Sequence, residues 1–371
     1  MVIDSLGSGG AQRQIVTLAR GLKSRGHHVE FFTYYPHDHY LSFLQEDEIP
    51  VHVHLKQSRF SIALIKALRQ ILRTSRFDLV LAFLALPSLY AELACIGLGE
   101  TKLVVSERFM YGPGRLSFTT RVLQALHCLA DAITVNSHHQ YRRMLLECSW
   151  MSSKLQTIYN GVDLLRFSPG KRREVGSNNA LNLIAIGTIV AKKNALNLAR
   201  ALTICRDCYN LKPVVRWVGK QDYSKAGCVA FTEVSGFIEA NGLNEQWEWL
   251  GERRDIPDLL RKHDALIHPS FFEGLPNAIC EALGCGLPVL ASNVCDHPNL
   301  IFEGVSGFLY NPHSPDSIAE AIYNFHVLPL DKKRGMGANA RRFAEENLSD
   351  SLLTSNYERL FLSLVESKSS A

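Results

Sequence analysis

The 371 residues carry 40 lysines and arginines against 36 aspartates and glutamates, with 46% hydrophobic and 20% charged residues and a mean hydropathy of -0.02. That length exceeds one ordinary core and predicts two domains of a soluble globular type. An apolar run long enough to cross a bilayer and a cleavable leader are both missing, so the expected location is cytoplasmic, at most peripheral on a membrane face. A net charge of +4 is modest for a nucleic-acid binder and no aromatic motif for RNA stacking is present, so no nucleic-acid partner is expected.

In chain order, Met1-Val2-Ile3 reads as the stub of a strand. A central parallel strand usually takes about five residues, so the natural start is expected to lie earlier. The loop Ser5-Leu6-Gly7-Ser8-Gly9-Gly10-Ala11-Gln12-Arg13 follows, its glycines letting the backbone pass close to a ligand ahead of a helix N-terminus. It is not a dinucleotide fingerprint. The pattern G-x-G-G lacks the third spaced glycine, and Glu30 lies inside a strand-like stretch rather than at its end. Strands are expected at Val29–Thr33, Leu79–Phe83, Leu103–Ser106 and Ala132–Asn136, with helices at Ala11–Ser24, Ser61–Ser75, Ser117–Leu129 and Gln140–Glu147. This alternation predicts a parallel sheet covered by helices.

Through Leu165 there are 17 basic and 13 acidic residues, so the whole excess charge lies in this half. Lys56, Arg59, Lys66, Arg69, Arg73 and Arg76 follow one another with no acidic residue between Ile49 and Phe77. The last four recur at helical spacing beside a stripe of Ile62, Ile65, Leu68 and Leu72. The Lys66–Arg76 helix is therefore either a docking face for anionic lipid headgroups or an ordinary covering helix with a solvated basic side.

The polar stretch Ser168–Asn179 is the expected linker. Beyond it the pattern repeats, with strands expected at Leu181–Ile186, Val214–Val218, Trp247–Leu250, Ala265–His268, Val289–Ser292 and Phe308–Tyr310. Two doubly wound α/β domains are predicted, residues 1–167 and 168–340, facing each other across a cleft. A final helix over 341–371, with its pattern running through Ala338–Glu366, would strap them together. Nine scattered cysteines fit reduced thiols. Cys205 and Cys208 have redox or zinc spacing, but they fall inside the expected helix Ala195–Cys208 and are read as structural.

The most informative stretch is His268-Pro269-Ser270-Phe271-Phe272-Glu273-Gly274-Leu275-Pro276-Asn277, continuing to Glu281 seven residues after Glu273. Pro276 suits a first helical turn, and Gly286-Leu287-Pro288 a helix end. The free N–H groups of that helix start make an anion site suited to a diphosphate, and Gly274 removes a side chain that would block it. Leu275 and Asn277 complete the approach. Glu273 would accept hydrogen bonds from sugar hydroxyls. Glu281, leaning back along the helix, would hold a ribose diol.

This stretch, with Gly304–Ile322, resembles the family 4 retaining glycosyltransferases of GT-B fold, two Rossmann-like domains facing across a cleft. The resemblance implies that Lys193, in Ile186-Gly187-Thr188-Ile189-Val190-Ala191-Lys192-Lys193-Asn194, binds the donor diphosphate. Thr188 stands where an arginine is usual, and Lys192 is expected to point elsewhere. Gly9, Gly10 and Arg13 would form the loop between leaving diphosphate and acceptor. Val104-Val105-Ser106-Glu107-Arg108 replaces a stretch that often carries a cleft histidine, which turns attention to Ser106, Glu107 or Arg108 on the acceptor side. Asn299 takes the position of a common glutamate, and Asp296 and His297 read as loop residues.

The implied activity is transfer of a hexose-type sugar, with retention, from a nucleotide-diphosphate sugar, UDP favoured, to a saccharide or polyprenyl-linked saccharide in surface polysaccharide or glycoconjugate synthesis. No Asp-x-Asp pair occurs in the chain, so no metal and no other cofactor is expected. The competing readings are a catalytically weakened nucleotide-sugar-binding module and a GT-B nucleotide-sugar epimerase.

Overall fold

The computed structural model describes residues 1–108, 117–170 and 181–369. The chain divides into two compact units, Met1–Gly161 with Asp350–Ala371, and Val162–Ser349. The division falls ahead of the stretch Ser168–Asn179, which lies outside the described residues from 171 onward. Where a single C-terminal helix was expected over 341–371 there are two, Leu330–Asn347 and Asp350–Ser369. Between them the Leu348 carbonyl accepts from Val162 N at 2.7 Å, and Val162 bridges to Ser349. A break made by a partner so distant in sequence leaves no mark on local periodicity.

The first unit holds strands β1 (Phe31–Thr33), β2 (Val51–Val53), β3 (Leu79–Phe83), β4 (Lys102–Glu107), β5 (Ala132–Val135) and β6 (Leu155–Thr157), all paired in parallel. Val2 bridges Phe32 on one side and Ala82 on the other. The order is therefore β2-β1-(Met1-Val2-Ile3)-β3-β4-β5-β6, with the sheet reversing direction of growth beside the Met1–Ile3 segment. β2 and β6 escape sequence reading because three residues each, in β2 half-exposed, carry too little alternation. Helix Ala85–Cys95, apolar on most sides, also lacks a legible stripe.

Helix Gly10–Ser24 buries Ile15, Val16, Leu18, Ala19 and Leu22 against this sheet. Helix Asp350–Ser369 adds Leu353, Tyr357 and Leu360 to the same core. A Cβ on Gly21 would lie 2.2 Å from Thr354 Oγ1, so these two helices approach closely only because Gly21 has no side chain. Fully buried Tyr357 brings its hydroxyl to 2.9 Å from Thr134 Oγ1 and 3.2 Å from Ser106 Oγ.

The second unit has strands β7 (Asn182–Ile186), β8 (Val214–Val218), β9 (Trp247–Gly251), β10 (Ala265–His268), β11 (Val289–Ser292) and β12 (Gly307–Tyr310), in the order β12-β11-β10-β7-β8-β9. This is the doubly wound order, reversing between β7 and β10. Trp217 stacks on Trp247 with ring centroids 5.8 Å apart, and the flanking helices Ala195–Tyr209 and Pro315–His326 supply Leu198, Leu202, Ile318 and Phe325. All nine cysteines are free thiols. Cys205 is buried on its helix, where burial pushes its thiol up to about 12, while Cys208 is exposed.

One buried cluster in the first unit was not visible in the sequence. His127 lies between Glu92, at 2.5 Å from Nδ1, and Glu107, at 3.1 Å from Nε2, with all three side chains 1% exposed. Burial opposes protonation of the imidazole, but hydrogen bonds to Glu107 and Glu92 and their charges outweigh it and raise the pKa to about 9. A folded value raised above the usual 6.5 contributes stability that is complete below pH 6.5 and lost as pH rises through 9. Urea unfolding should therefore show the wild type's advantage over His127→Gln shrinking by on the order of 3 kcal/mol between pH 6 and pH 9.5. An advantage that does not change with pH would mean the imidazole is neutral.

Candidate active site

The reversal between β7 and β10 brings two turns together at the carboxyl ends of these strands, where open α/β sheets hold ligands. After β7 the chain passes Gly187-Thr188-Ile189-Val190 and makes a 3-10 turn at Ala191–Lys193. Asn194 ends that turn in the left-handed region, at φ 59°, which asparagine tolerates better than most residues. Its side-chain amide donates to Pro269 O at 3.0 Å and Pro312 O at 2.8 Å. Phe271 N donates to Lys192 O at 2.9 Å. The turn after β7 is thus stitched to the one after β10. The Trp217 indole N–H, donating to Gly187 O at 2.8 Å, ties both to the core.

This stitching delivers Lys193 to Glu273. The Lys193 ammonium donates to Glu273 Oε1. Ser270 Oγ donates to the same oxygen at 2.9 Å, and His268 Nε2 lies 3.5 Å from it and 3.2 Å from Ser270 Oγ. Among the described residues nothing donates to Oε2. Only 12% of the Glu273 side chain is exposed. Burial alone would raise its pKa, but the His268 hydrogen bond and the Lys193 charge outweigh that and hold the carboxyl well below its usual range. Burial pushes His268 below the ordinary imidazole value, so it acts here as a neutral donor. His297, packed edge-on against His268 with ring centroids 5.4 Å apart, is pushed down to about 3, first by burial and then by its neighbour.

Glu281 lies five residues into helix Asn277–Gly284 and is buried. Pro276, expected in the first turn, is instead the extended N-cap, and Asn277 is the first helical residue. Leu275 is buried ahead of it and Gly274 is partly exposed. Lys192 is exposed with its ammonium 5.7 Å from the centre of the Phe272 ring, and Thr188 is half-buried in the turn after β7. Asp296 and His297, read as loop residues, are both fully buried, His297 starting a short helix and donating from Nδ1 to Ser292 O at 2.7 Å. Asn299 donates to Asp296 Oδ1 at 2.8 Å.

In the first unit Gly9 is the N-cap of helix Gly10–Ser24, and Arg13 N closes its first turn onto Gly9 O at 3.0 Å. Arg108, expected on the acceptor side, is held inside the unit. It donates to Ser106 Oγ at 3.0 Å, to Asn160 Oδ1 and to Tyr357 Oη at 2.8 Å, with its guanidinium carbon 4.1 Å from the centre of the Phe83 ring. Glu107 and Ser106 also turn inward, to His127 and Tyr357. Among the described residues no three of His, Cys, Asp and Glu gather as a metal group.

Sequence reading missed the roles of His268, Ser270 and Asn194. The only signal was their position, since His268 and Ser270 precede Glu273 at the end of a strand and Asn194 follows Lys193.

Two family models match the chain, one described as Glycosyltransferase Family 4 over residues 8–166 and one as Glycosyl transferases group 1 over residues 180–326. The D-inositol 3-phosphate glycosyltransferase of Mycobacterium marinum is 27% identical over 233 residues, 61% of this chain and 50% of that protein. The UDP-Gal:alpha-D-GlcNAc-diphosphoundecaprenol alpha-1,3-galactosyltransferase of Escherichia coli is 30% identical over 176 residues, 46% and 44% of the two chains. These matches span about half the length of the curated relatives. Among solved structures, Anabaena Alr3699/HepE in complex with UDP superposes with a TM-score of 0.84 at 22% identity, covering 98% of both chains.

Gly219 tests how the site is assembled. It has φ 156°, and a Cβ there would lie 2.0 Å from Gly187 O. Gly219→Ala must push back the turn that carries Lys193, and is expected to cost at least about 2 kcal/mol in urea unfolding. Unchanged stability in Gly219→Ala would show that the turn after β7 yields to the added Cβ without strain.

Proposed function

The chain belongs to the family 4 glycosyltransferases, and we propose that it moves a hexose-type sugar from a nucleotide-diphosphate sugar, a UDP-sugar in preference, to a hydroxyl of a saccharide or polyprenyl-linked saccharide, with retention at the anomeric carbon. The observation that carries this reading is the meeting of Lys193 with Glu273 at the β7/β10 reversal, one turn ahead of the helix that holds Glu281. A single cation beside a buried carboxylate, near a helix start, suits a ligand with a diphosphate and several hydroxyls. The Anabaena protein of the same fold binds UDP, and the name of the Escherichia coli relative gives UDP-galactose as donor and a diphosphoundecaprenol-linked sugar as acceptor. The first favours UDP, and the second favours UDP and a lipid-linked acceptor.

In this reading Lys193 moves from Glu273 to the diphosphate, Glu281 holds the ribose, and Glu273 accepts hydrogen bonds from the transferred sugar. The bond from the anomeric carbon to the phosphate oxygen breaks, its electron pair leaving on the phosphate. The acceptor oxygen bonds to the same face of that carbon, and its proton passes to the leaving phosphate oxygen. Lys193 and the helix dipole offset the charge that develops there, without a metal. A carboxylate held ionised suits Glu273 as a hydrogen-bond acceptor rather than a proton donor. The absence of an arginine at Thr188 favours the rival reading of a binding module without turnover, so release of UDP from UDP-sugars in the presence of acceptor separates the two.

Docking on an anionic membrane belongs to this proposal as well. On helix Ile62–Ser75 and its cap, Lys66, Arg73 and Arg76 are exposed, as is Ile62 at 61%. Of the stripe Ile62, Ile65, Leu68 and Leu72, Leu68 and Leu72 are buried together with Leu64, Ile65 packs half-buried against the same core, and Ile62 is left outside. Arg69 turns inward to the carbonyls of Ala94 and Ile96, so three basic residues form the outward face.

Two measurements check these points. A thermal-shift titration with UDP, GDP and ADP, without added metal, should raise the melting temperature most with UDP, and Glu281→Ala should abolish the shift. A shift that survives in Glu281→Ala would remove that residue from the nucleotide site. Co-sedimentation with phosphatidylglycerol vesicles should fall in Lys66→Gln/Arg73→Gln/Arg76→Gln by about 1 kcal/mol per residue. Equal sedimentation of wild type and variant would rule out this face.

A further inference from the structure

Lys193 and Ser270 donate to Glu273 Oε1, with His268 Nε2 3.5 Å from it, and in the proposed reaction Lys193 must leave. When Lys193 turns to the diphosphate, a carboxylate with 12% exposure would lose the one cation that adjoins it among the described residues. An isolated buried carboxylate takes up a proton instead, and a protonated Glu273 would be a different hydrogen-bonding group towards a sugar. The two remaining contacts are Ser270 Oγ at 2.9 Å and His268 Nε2 at 3.5 Å. Resting on the reading of Glu273 as the sugar acceptor, we propose that His268 and Ser270 are positioning residues. They hold Oε1 so that Oε2 faces the transferred sugar, and they keep Glu273 ionised after Lys193 has moved to the phosphates.

The arrangement around His268 supports this role. Ser270 Oγ has one proton and directs it to Glu273, so its lone pairs are open to His268 Nε2–H at 3.2 Å. That contact requires a proton on Nε2, and burial favours the neutral ring, so the tautomer that makes it carries its one proton there. The backbone of His268 is fixed in turn, because Ser292 Oγ donates to its carbonyl at 3.1 Å. His297 packs edge-on behind the ring and is itself oriented by Ser292 O. Among the described residues the charged and titratable groups facing Glu273 are Lys193, His268 and, behind it, His297, with Cys295 Sγ taking the Glu273 backbone N–H at 3.4 Å. Lys193 is the one cation among them. Donors that carry no charge do not follow the phosphates, which is why they can hold the carboxylate through the whole cycle.

The test compares calorimetric titrations of UDP with those of UDP-glucose, UDP-galactose and UDP-N-acetylglucosamine from pH 4.5 to 8. The quantity of interest is the affinity that the best sugar adds over UDP. In wild type this increment should stay level down to pH 5. In Ser270→Ala and His268→Leu it should fall roughly tenfold at pH 5 and recover towards pH 8, because loss of a donor raises the carboxyl pKa. Ser270→Thr and His268→Gln, which keep a donor, should restore the level profile, and affinity for UDP alone should not move in any of them. A profile as level in Ser270→Ala as in wild type, or an equal loss for UDP and UDP-sugar, overturns the proposal. Glu273→Gln separates this from the underlying reading. If it leaves the sugar increment intact, if no sugar adds affinity, or if UDP does not bind wild type, the assignment of Glu273 itself fails. Should His268→Leu not fold, Ser270→Ala and Ser270→Thr carry the test.

Discussion

A carboxylate that is almost closed off from water has to be met by donors or surrender its charge. Glu273 is met on one oxygen by Lys193 and Ser270, with His268 behind the serine, and the local architecture of the second unit can be followed outward from that requirement. Lys193 reaches it because Asn194 turns left-handed and grips two carbonyls of the neighbouring segments. Those segments are adjacent because β7 and β10 are neighbours at the point where the sheet changes direction. The turn after β7 is anchored in turn by an indole N–H from the tryptophan cluster. Core packing and site electrostatics are therefore one structure, linked at Gly187.

The first unit meets a similar requirement differently. Glu92 and Glu107 are buried on helix Ala85–Cys95 and β4, and a protonated histidine between them offsets part of their charge. Burial raises the Glu92 carboxyl in spite of His127, whereas Glu273 is lowered well below its usual range. The difference lies in the number and kind of donors. Glu92 shares one imidazolium with a second carboxylate, and among the described residues its other oxygen is buried without a partner, while one oxygen of Glu273 receives a lysine and a hydroxyl, with an imidazole beside them. A carboxylate held ionised with one oxygen unclaimed is suited to receive a ligand, and one shared with a buried imidazolium is suited to hold a core.

Arg108 illustrates the limit of motif transfer. Its position after β4 made it a reasonable acceptor-side residue, yet its guanidinium is engaged by Ser106, Asn160 and Tyr357 and lies over Phe83. Tyr357 arrives from the far end of the chain, on a helix whose place in the first unit could not be inferred from periodicity. Spacing can nominate a residue for a ligand, but only three-dimensional packing reveals which groups it already donates to.

The strand and helix pattern and the two doubly wound units were legible in the sequence, because they rest on local signals. These are β-branched runs four to six residues long, turn residues at fixed offsets, and a helix start preceded by a glycine. Short strands such as Val51–Val53 and Leu155–Thr157 fell below that threshold, since three residues hold too little alternation to be read. Tertiary structure alone decided what depends on partners far apart in the chain. The break at Leu348 follows from Val162, the closure over the first sheet from Tyr357, the buried charge cluster from three separate elements, and the convergence of His268, Ser270 and Lys193 on one oxygen of Glu273 from the β7/β10 reversal. Hydrogen bonds and charges act through space, and a periodic pattern reports only which face of an element is apolar, not which group will stand opposite it.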